Sequence, residues 1–346
     1  MTDLMISSPD TSRLHKPARR ARPMLARAAD ALYWLGRYVE RSEHVARTLL
    51  INTELLTDVG DMAPDLRRQL WQALLQLIDL DATLPPSDTD DHASYVPHRL
   101  TLDDTNPTSI LSCITRARDN ARTIRESISR EMWENLNTLY WQIRADDAKA
   151  RFDEAPTEFS RAVINGTMLF QGLTDQTMPH AQAWQFIQLG KHLERVDITC
   201  RILETRYRLL RSAEAALEAP LRNILWMSVL RMCCSIEAYR RVYLADFEPL
   251  RVVSFVLFEP AFPRSIRFGV QQAQNAAGAI KSLANPTRSL SGDGGGADRI
   301  LGRLNAELEF ADEAAILHQG LPVFLQSIRH KTAQAAASIQ HAYFLT

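Results

Sequence analysis

The chain has 346 residues, 46% of them hydrophobic, with 40 Lys and Arg set against 41 Asp and Glu. That is enough apolar material for a sizeable core, in one large domain or two ordinary ones. A formal net charge of -1 supplies no bulk attraction to nucleic acid or to an anionic membrane, and neither is expected as a partner.

Residues 1–23 read as a basic disordered tail. They combine Pro9, Pro17 and Pro23 with Arg13, Lys16, Arg19, Arg20 and Arg22, and carry too little apolar surface to offset the entropy of ordering. The arm is either merely solvated or a docking arm for an acidic partner. From residue 24 to 50, Leu25, Ala28, Leu32, Leu35, Val39, Ala46 and Leu49 recur mostly three or four apart, which predicts an amphipathic helix. Its opposite face carries Arg37, Arg41, His44 and Arg47, and Glu40–His44 reads as an exposed i,i+4 pair.

Further helices are expected over 64–81, 107–145 (with Pro107 in the first turn), 157–173, 188–203, 219–245, 263–284, 297–312 and 320–344. Breaks rich in Pro, Asp and Gly fall at 84–91, 145–156 and 291–296. The one strand-like run, 252–258, is too isolated to make a sheet. The fold class is therefore all-α, a helical bundle or two fused bundles. No apolar run approaches the roughly 20 residues needed to span a bilayer, and no secretory leader is expected. Cys113, Cys200, Cys233 and Cys234 lack Cys-x-x-Cys spacing, so they read as small core residues of a cytoplasmic protein.

The pattern occurs twice. Leu35-Gly36-Arg37 matches Leu189-Gly190-Lys191, Glu40-Arg41 matches Glu194-Arg195, and Arg47 matches Arg201, all at an offset of 154. Asn106-Pro-Thr-Ser-Ile110 matches Phe262-Pro-Arg-Ser-Ile266 at an offset of 156, with Ala117, Ala121 and Ile124 falling on Ala273, Ala277 and Ile280. Trp71 and Trp226 form a weaker third anchor. Anchors in one order at nearly one offset predict two diverged internal repeats, 24–178 and 179–346, related by an approximate pseudo-twofold within one compact domain.

Known catalytic and metal patterns are missing. No Glu has a His three residues on, as a di-iron bundle requires, and no acidic pair has the spacing of a magnesium-binding Asp-Asp-x-x-Asp. A nucleophile elbow and a phosphate loop are absent as well. No catalytic residue, metal or cofactor is assigned.

The repeated Glu-Arg helices remain. Gly36 and Gly190 cost about 1 kcal/mol each relative to Ala inside a helix, which points to close backbone packing there. Facing helices would bring Arg37, Glu40, Arg41, Glu43, Arg47, Glu194 and Arg195 into one polar layer. The Arg-dense stretch 116–133 would add Asn120 and Arg125, unless it is simply an exposed charged face. The layer is either an ion-pair network that fixes helix register or a site where guanidinium groups hold a carboxylate or phosphate.

In Leu32-Tyr-Trp-Leu-Gly-Arg-Tyr-Val-Glu-Arg41, Asn106-Pro-Thr-Ser-Ile110, Ala117-Arg-Asp-Asn-Ala-Arg122, Ser129-Arg-Glu-Met-Trp133 and Phe262-Pro-Arg-Ser-Ile266, the chain resembles the alpha-E domain family, bacterial all-helical proteins with a Glu-Arg motif. The likeness covers nearly everything after residue 23. It implies a Glu-Arg motif at Glu40 and Arg41, with a diverged second copy at Glu194 and Arg195. It also implies partnership with an ATP-grasp peptide ligase and a transglutaminase-like protein in a peptide-modification system, with no established activity. Two functions stay open: a non-catalytic helical partner of such a ligase, or an enzyme of undescribed type whose Arg and Glu residues bind an anionic or amide substrate. In the second, Glu40 would be the general acid or base, a role that its neighbouring Arg residues oppose by lowering its pKa.

Overall fold

In the computed structural model the described residues are 24–59, 64–78, 84, 89–212, 218–244, 246–284, 296–312, 316 and 320–345. The basic tail at 1–23 and most of the glycine-rich segment lie outside them. Among the described residues there is no strand, and the all-α expectation holds.

Two long helices form the axis: α1 (Ala26–Val59) and α8 (Gln182–Ser212). Around them come α2 (Pro64–Ile78), α3 (Thr89–Thr101), α4 (Ile110–Thr123), α5 (Arg130–Arg144), α6 (Ala148–Glu154) and α7 (Pro156–Thr177). The second half supplies α9 (Ala219–Met232), α10 (Ile236–Tyr243), α11 (Pro249–Phe258), α12 (Ile266–Ala284), α13 (Ala297–Glu309) and α14 (Leu321–Tyr343).

The helix expected over 107–145 is two helices. Ser109 caps α4 by accepting from the Ser112 amide, and Ser129 caps α5 by accepting from the Met132 amide. The helix expected over 219–245 is likewise broken, at Cys233 and Cys234, where Cys234 takes a positive φ of 55°. The strand-like run is helix α11, opened by Pro249 at its first turn. Val252, Val253, Phe255, Val256 and Leu257 are all buried there, so the helix is apolar nearly all round and its β-branched residues yield to packing. Helix α6 lies within the break expected at 145–156, and α3 starts within the one expected at 84–91 and runs on to Thr101. Cys113, Cys200 and Cys233 are buried as expected, whereas Cys234 is exposed; all four thiols are free. No helix among the described residues is long and apolar enough to cross a membrane.

Helices α1 and α8 pack side by side. Gly36 meets Ile187, Arg37 meets Glu194, Glu40 meets Arg195 and Asn52 meets Arg206, so the two run in the same direction. Between Gly36 and Asn52 the seam is about 24 Å long. Helices α4 and α7 pack on α1 and are joined by α5; α12 and α14 pack on α8 and are joined by α13. Helices α2 and α9 each touch both central helices, with α3 behind α2 and α11 behind α9. Helix α8 is thus covered on almost every side, and its buried residues include the polar Gln188, His192, Glu194, Arg195, Thr199 and Arg206.

Candidate functional site: a crossed Glu-Arg layer

The seam begins where glycine removes the side chain. A Cβ on Gly36 would run into the Ile187 carbonyl oxygen, and one on Gly190 into that of Tyr33, both inside van der Waals contact. Backbone lies on backbone here, as the two helix-interior glycines predict.

One turn further on, the ion pairs cross. Arg41 Nε donates to Glu194 Oε1 at 2.6 Å and its Nη2 to Oε2 at 3.0 Å. In the other direction, Arg195 Nε donates to Glu40 Oε1 at 2.6 Å and its Nη2 to Oε2 at 2.9 Å. Arg37 adds a bond to Glu194 Oε2 at 2.7 Å and one to the Tyr33 hydroxyl at 2.9 Å, and its guanidinium sits 5.2 Å over the Trp34 ring. The Gln171 amide, from α7, donates to Glu40 Oε2 at 2.7 Å. Both carboxylates are bidentate to an arginine fork, the strongest geometry such pairs adopt.

Glu43 continues the layer. Arg47 Nε donates to its Oε1 at 2.7 Å, and Arg264 Nη2 to its Oε2 at 2.8 Å. Arg264 reaches in from the turn before α12. It lies in the Phe262-Pro-Arg-Ser-Ile266 stretch singled out in the sequence but was not expected in the layer. His44 is also a member: its Nε2 lies 3.1 Å from Glu40 Oε1 and 3.1 Å from Arg264 Nη1. The Glu40–His44 pair therefore exists but is fully buried, not exposed as its spacing suggests. A helix wheel assigns both to the polar face, and that face is covered by α7, α8 and the turn carrying Arg264.

Asn120 and Arg125 do not join the layer. Arg125 is exposed, with its guanidinium 4.9 Å from the Trp133 ring, and the Asn120 carbonyl accepts from Thr123. Asn120 is half-buried near the end of α4, and Arg125 lies past that end.

Burial raises the pKa of each of the three carboxylates, and the arginines more than reverse it. Arg264, His44 and Arg47 bring Glu43 down to about 2, and Arg41 and Arg37 do the same to Glu194. Arg195 and the bond from His44 hold Glu40 well below the ordinary range. All three are anions at neutral pH and poor proton acceptors. Beside them Lys191, half-buried, is pulled down to about 8 by burial and by Arg195. Its crevice, lined by Gly36, Gln171, Gln188 and their neighbours, measures about 10 Å³, room for about one water.

Glu40, Glu43 and His44 offer ligand atoms within 4.8 Å of one another. A cation there would have to displace Arg195 and Arg264, whose guanidinium groups already take these lone pairs. Larger spaces lie elsewhere. A groove of about 890 Å³ between α2, α8 and α14 is lined by Arg68, Arg201, Glu204, Arg208 and Arg329, and one of about 510 Å³ between α8 and α14 reaches Arg37.

The Alpha-E family model, described as a predicted alpha-helical domain with a conserved ER motif, matches residues 24–344. An uncharacterised protein of Mycobacterium bovis, and others from two strains of Mycobacterium tuberculosis, are each 24% identical over 267 residues. Those matches cover 71% of this chain and 29% of the relative, so the chain spans under a third of the length of these curated relatives. No solved structure matches it. With the family model spanning nearly all of the sequence, and a Glu-Arg dipeptide at the heart of each central helix, the chain belongs to the Alpha-E family.

Proposed function

We propose that the protein is a non-catalytic helical partner in a peptide-modification system, docking with an ATP-grasp peptide ligase or a transglutaminase-like protein in the cytoplasm. The observation that carries this reading is the saturation of the Glu-Arg layer. Its carboxylates are each held by two or more donors and are ionised far below neutral pH, and the crevice at Lys191 has room for about one water. Such a layer holds helices in register and leaves recognition to the outer surface.

In the same reading the chain is two diverged repeats related by a pseudo-twofold along the α1/α8 seam. Supporting it are the crossed pairs Glu40–Arg195 and Glu194–Arg41, the crossed glycine contacts, and the like packing of α4, α5 and α7 on α1 and of α12, α13 and α14 on α8. Ala117, Ala121 and Ile124 are buried, as are Ala273, Ala277 and Ile280. The free thiols suit a reducing compartment.

The test is purification of the tagged chain from its native cells. Stoichiometric recovery of an ATP-grasp ligase or transglutaminase-like protein is the expected result; a clean monomer without either overturns the partnership. One observation favours the enzyme reading as an alternative. Arg37, Arg41, Arg47, Arg195 and Arg264 outnumber Glu40, Glu43 and Glu194, and Arg37 faces a groove, so an anionic or amide substrate would meet surplus positive charge there. A folded Glu40→Gln protein that loses a measurable activity would move the conclusion to that reading.

A further inference from the structure

Past the Glu-Arg layer, the seam between α1 and α8 holds another buried charge. Arg206 is 2% exposed, and its Nη2 donates to Asn52 Oδ1 at 2.8 Å. Asn52 is itself fully buried. Ile51, Leu55 and Leu56 on α1, with Ile202, Leu203, Leu209 and Leu210 on α8, are buried apolar residues flanking the pair in sequence, and the buried Thr48, one turn before Asn52, spends its hydroxyl on the His44 and Val45 carbonyls. The remaining donors of the pair are left over: Arg206 Nη1 and Asn52 Nδ2 are both buried without a hydrogen-bond partner.

This guanidinium differs from those of the layer. Arg37, Arg41, Arg195 and Arg264 each have a carboxylate, whereas among the described residues no charged group acts on Arg206. Burial alone pulls its pKa down, to about 10, which leaves it a cation at neutral pH. A buried unpaired guanidinium is among the costliest features a core can hold.

The leftover atoms specify what would relieve it. Both are donors, so the complement is a group that only accepts. A water could accept from both but would leave the positive charge uncompensated. Because Arg206 and Asn52 are bonded to each other, their free donors are at most about 7 Å apart, a span that one small acceptor can bridge. Neither residue lines the 890 Å³ groove or the 590 Å³ groove between α1, α2 and α3, so bulky organic anions have no path from these spaces.

We propose that Arg206 and Asn52 form a buried site for one small monovalent anion of chloride size, bound between Arg206 Nη1 and Asn52 Nδ2. The anion neutralises the end of the seam as Glu40 and Glu194 neutralise its middle, and α1 and α8 are locked together at both places.

The test is thermal unfolding of the full chain across a chloride titration, with sodium methanesulfonate holding ionic strength constant. The wild type should show a saturable rise in Tm of a few degrees, and Arg206→Met none. Should Arg206→Met fail to fold, Asn52→Leu removes the second donor and should shift the titration midpoint at least tenfold to higher chloride. Crystals grown in bromide should show an anomalous peak between the two side chains. Wild type and variant rising in parallel, or a water with no anomalous signal in that position, would overturn the proposal. A bromide peak with no chloride dependence of Tm would mean an adventitious ion only, and would overturn it equally.

Discussion

Arg41 and Glu194, 153 positions apart in sequence, meet fork to fork, Nε to Oε1 at 2.6 Å and Nη2 to Oε2 at 3.0 Å. Glu194 is only 3% exposed in its side chain, so removing its charge leaves Arg37 and Arg41 competing for nothing. Glu194→Gln should lower stability by about 3–5 kcal/mol in urea unfolding. The double variant Arg41→Met, Glu194→Met should recover part of that loss, because Arg37 is then the one guanidinium of the two left without its carboxylate. A double-mutant cycle with no coupling beyond about 0.5 kcal/mol would show that the pair contributes nothing as a unit.

Acid should unlock the layer late. Glu43 and Glu194 titrate near 2 in the fold and near 4.5 when free. Their stabilisation is complete above 4.5 and disappears as pH falls through 2, each group contributing about 3 kcal/mol. The urea midpoint should therefore decline steeply between pH 4.5 and 2. In Glu194→Gln that decline should be shallower by one proton.

The glycine contact predicts a steric failure without any change of charge. Gly36→Ala and Gly190→Ala should each destabilise by about 2–3 kcal/mol, although alanine is the better helix former. The opposing atoms are backbone carbonyl oxygens, which have no rotamer to escape into. Gly172, whose Cβ would meet nothing within 4 Å, is the control: Gly172→Ala should leave stability unchanged or raise it. Equal effects at Gly36 and Gly172 would contradict the close approach.

Lys191 should make the fold more stable as pH rises. Its pKa is about 8 in the fold and 10.5 when free. Below 8 both states carry the proton and the fold bears the burial cost. Above 8 the folded chain releases it first, so stability climbs through that window. Comparing wild type with Lys191→Met between pH 7 and 9 isolates the effect. The variant should be the more stable at pH 7, with the gap narrowing towards pH 9.

The sequence conveyed the central contact well and its depth poorly. Period-3.6 patterning located α1 and α8, and the paired glycines announced their approach, because both signals are local. Burial is not local. His44 and Glu40 sit on what a helix wheel labels the polar face, and only the packing of α7, α8 and the Arg264 turn removes that face from water. Arg264 was visible in a repeated motif, yet its role depends on a loop reaching a helix 220 residues earlier. Arg125 took the other of two open readings: the Arg-dense stretch was either part of the layer or an exposed charged face, and the break between Thr123 and the Ser129 cap of α5 leaves Arg125 exposed beside Trp133. The apolar β-branched run of α11 misled for a familiar reason, since a fully buried segment has no periodicity to read.

Two central helices running in the same direction impose an order on synthesis. An antiparallel neighbour can follow after a short turn, but α8 reaches its place only after α2 to α7 have carried the chain back to where α1 began. Until then Glu40 lacks Arg195, Glu43 has Arg47 but lacks Arg264, and Arg37 and Arg41 lack Glu194. On a ribosome, the first half must wait with these groups only partly answered in what will become its interior. The seam closes as a late, long-range event, and a chain cut between α7 and α8 should regain its stability only when the two pieces are together.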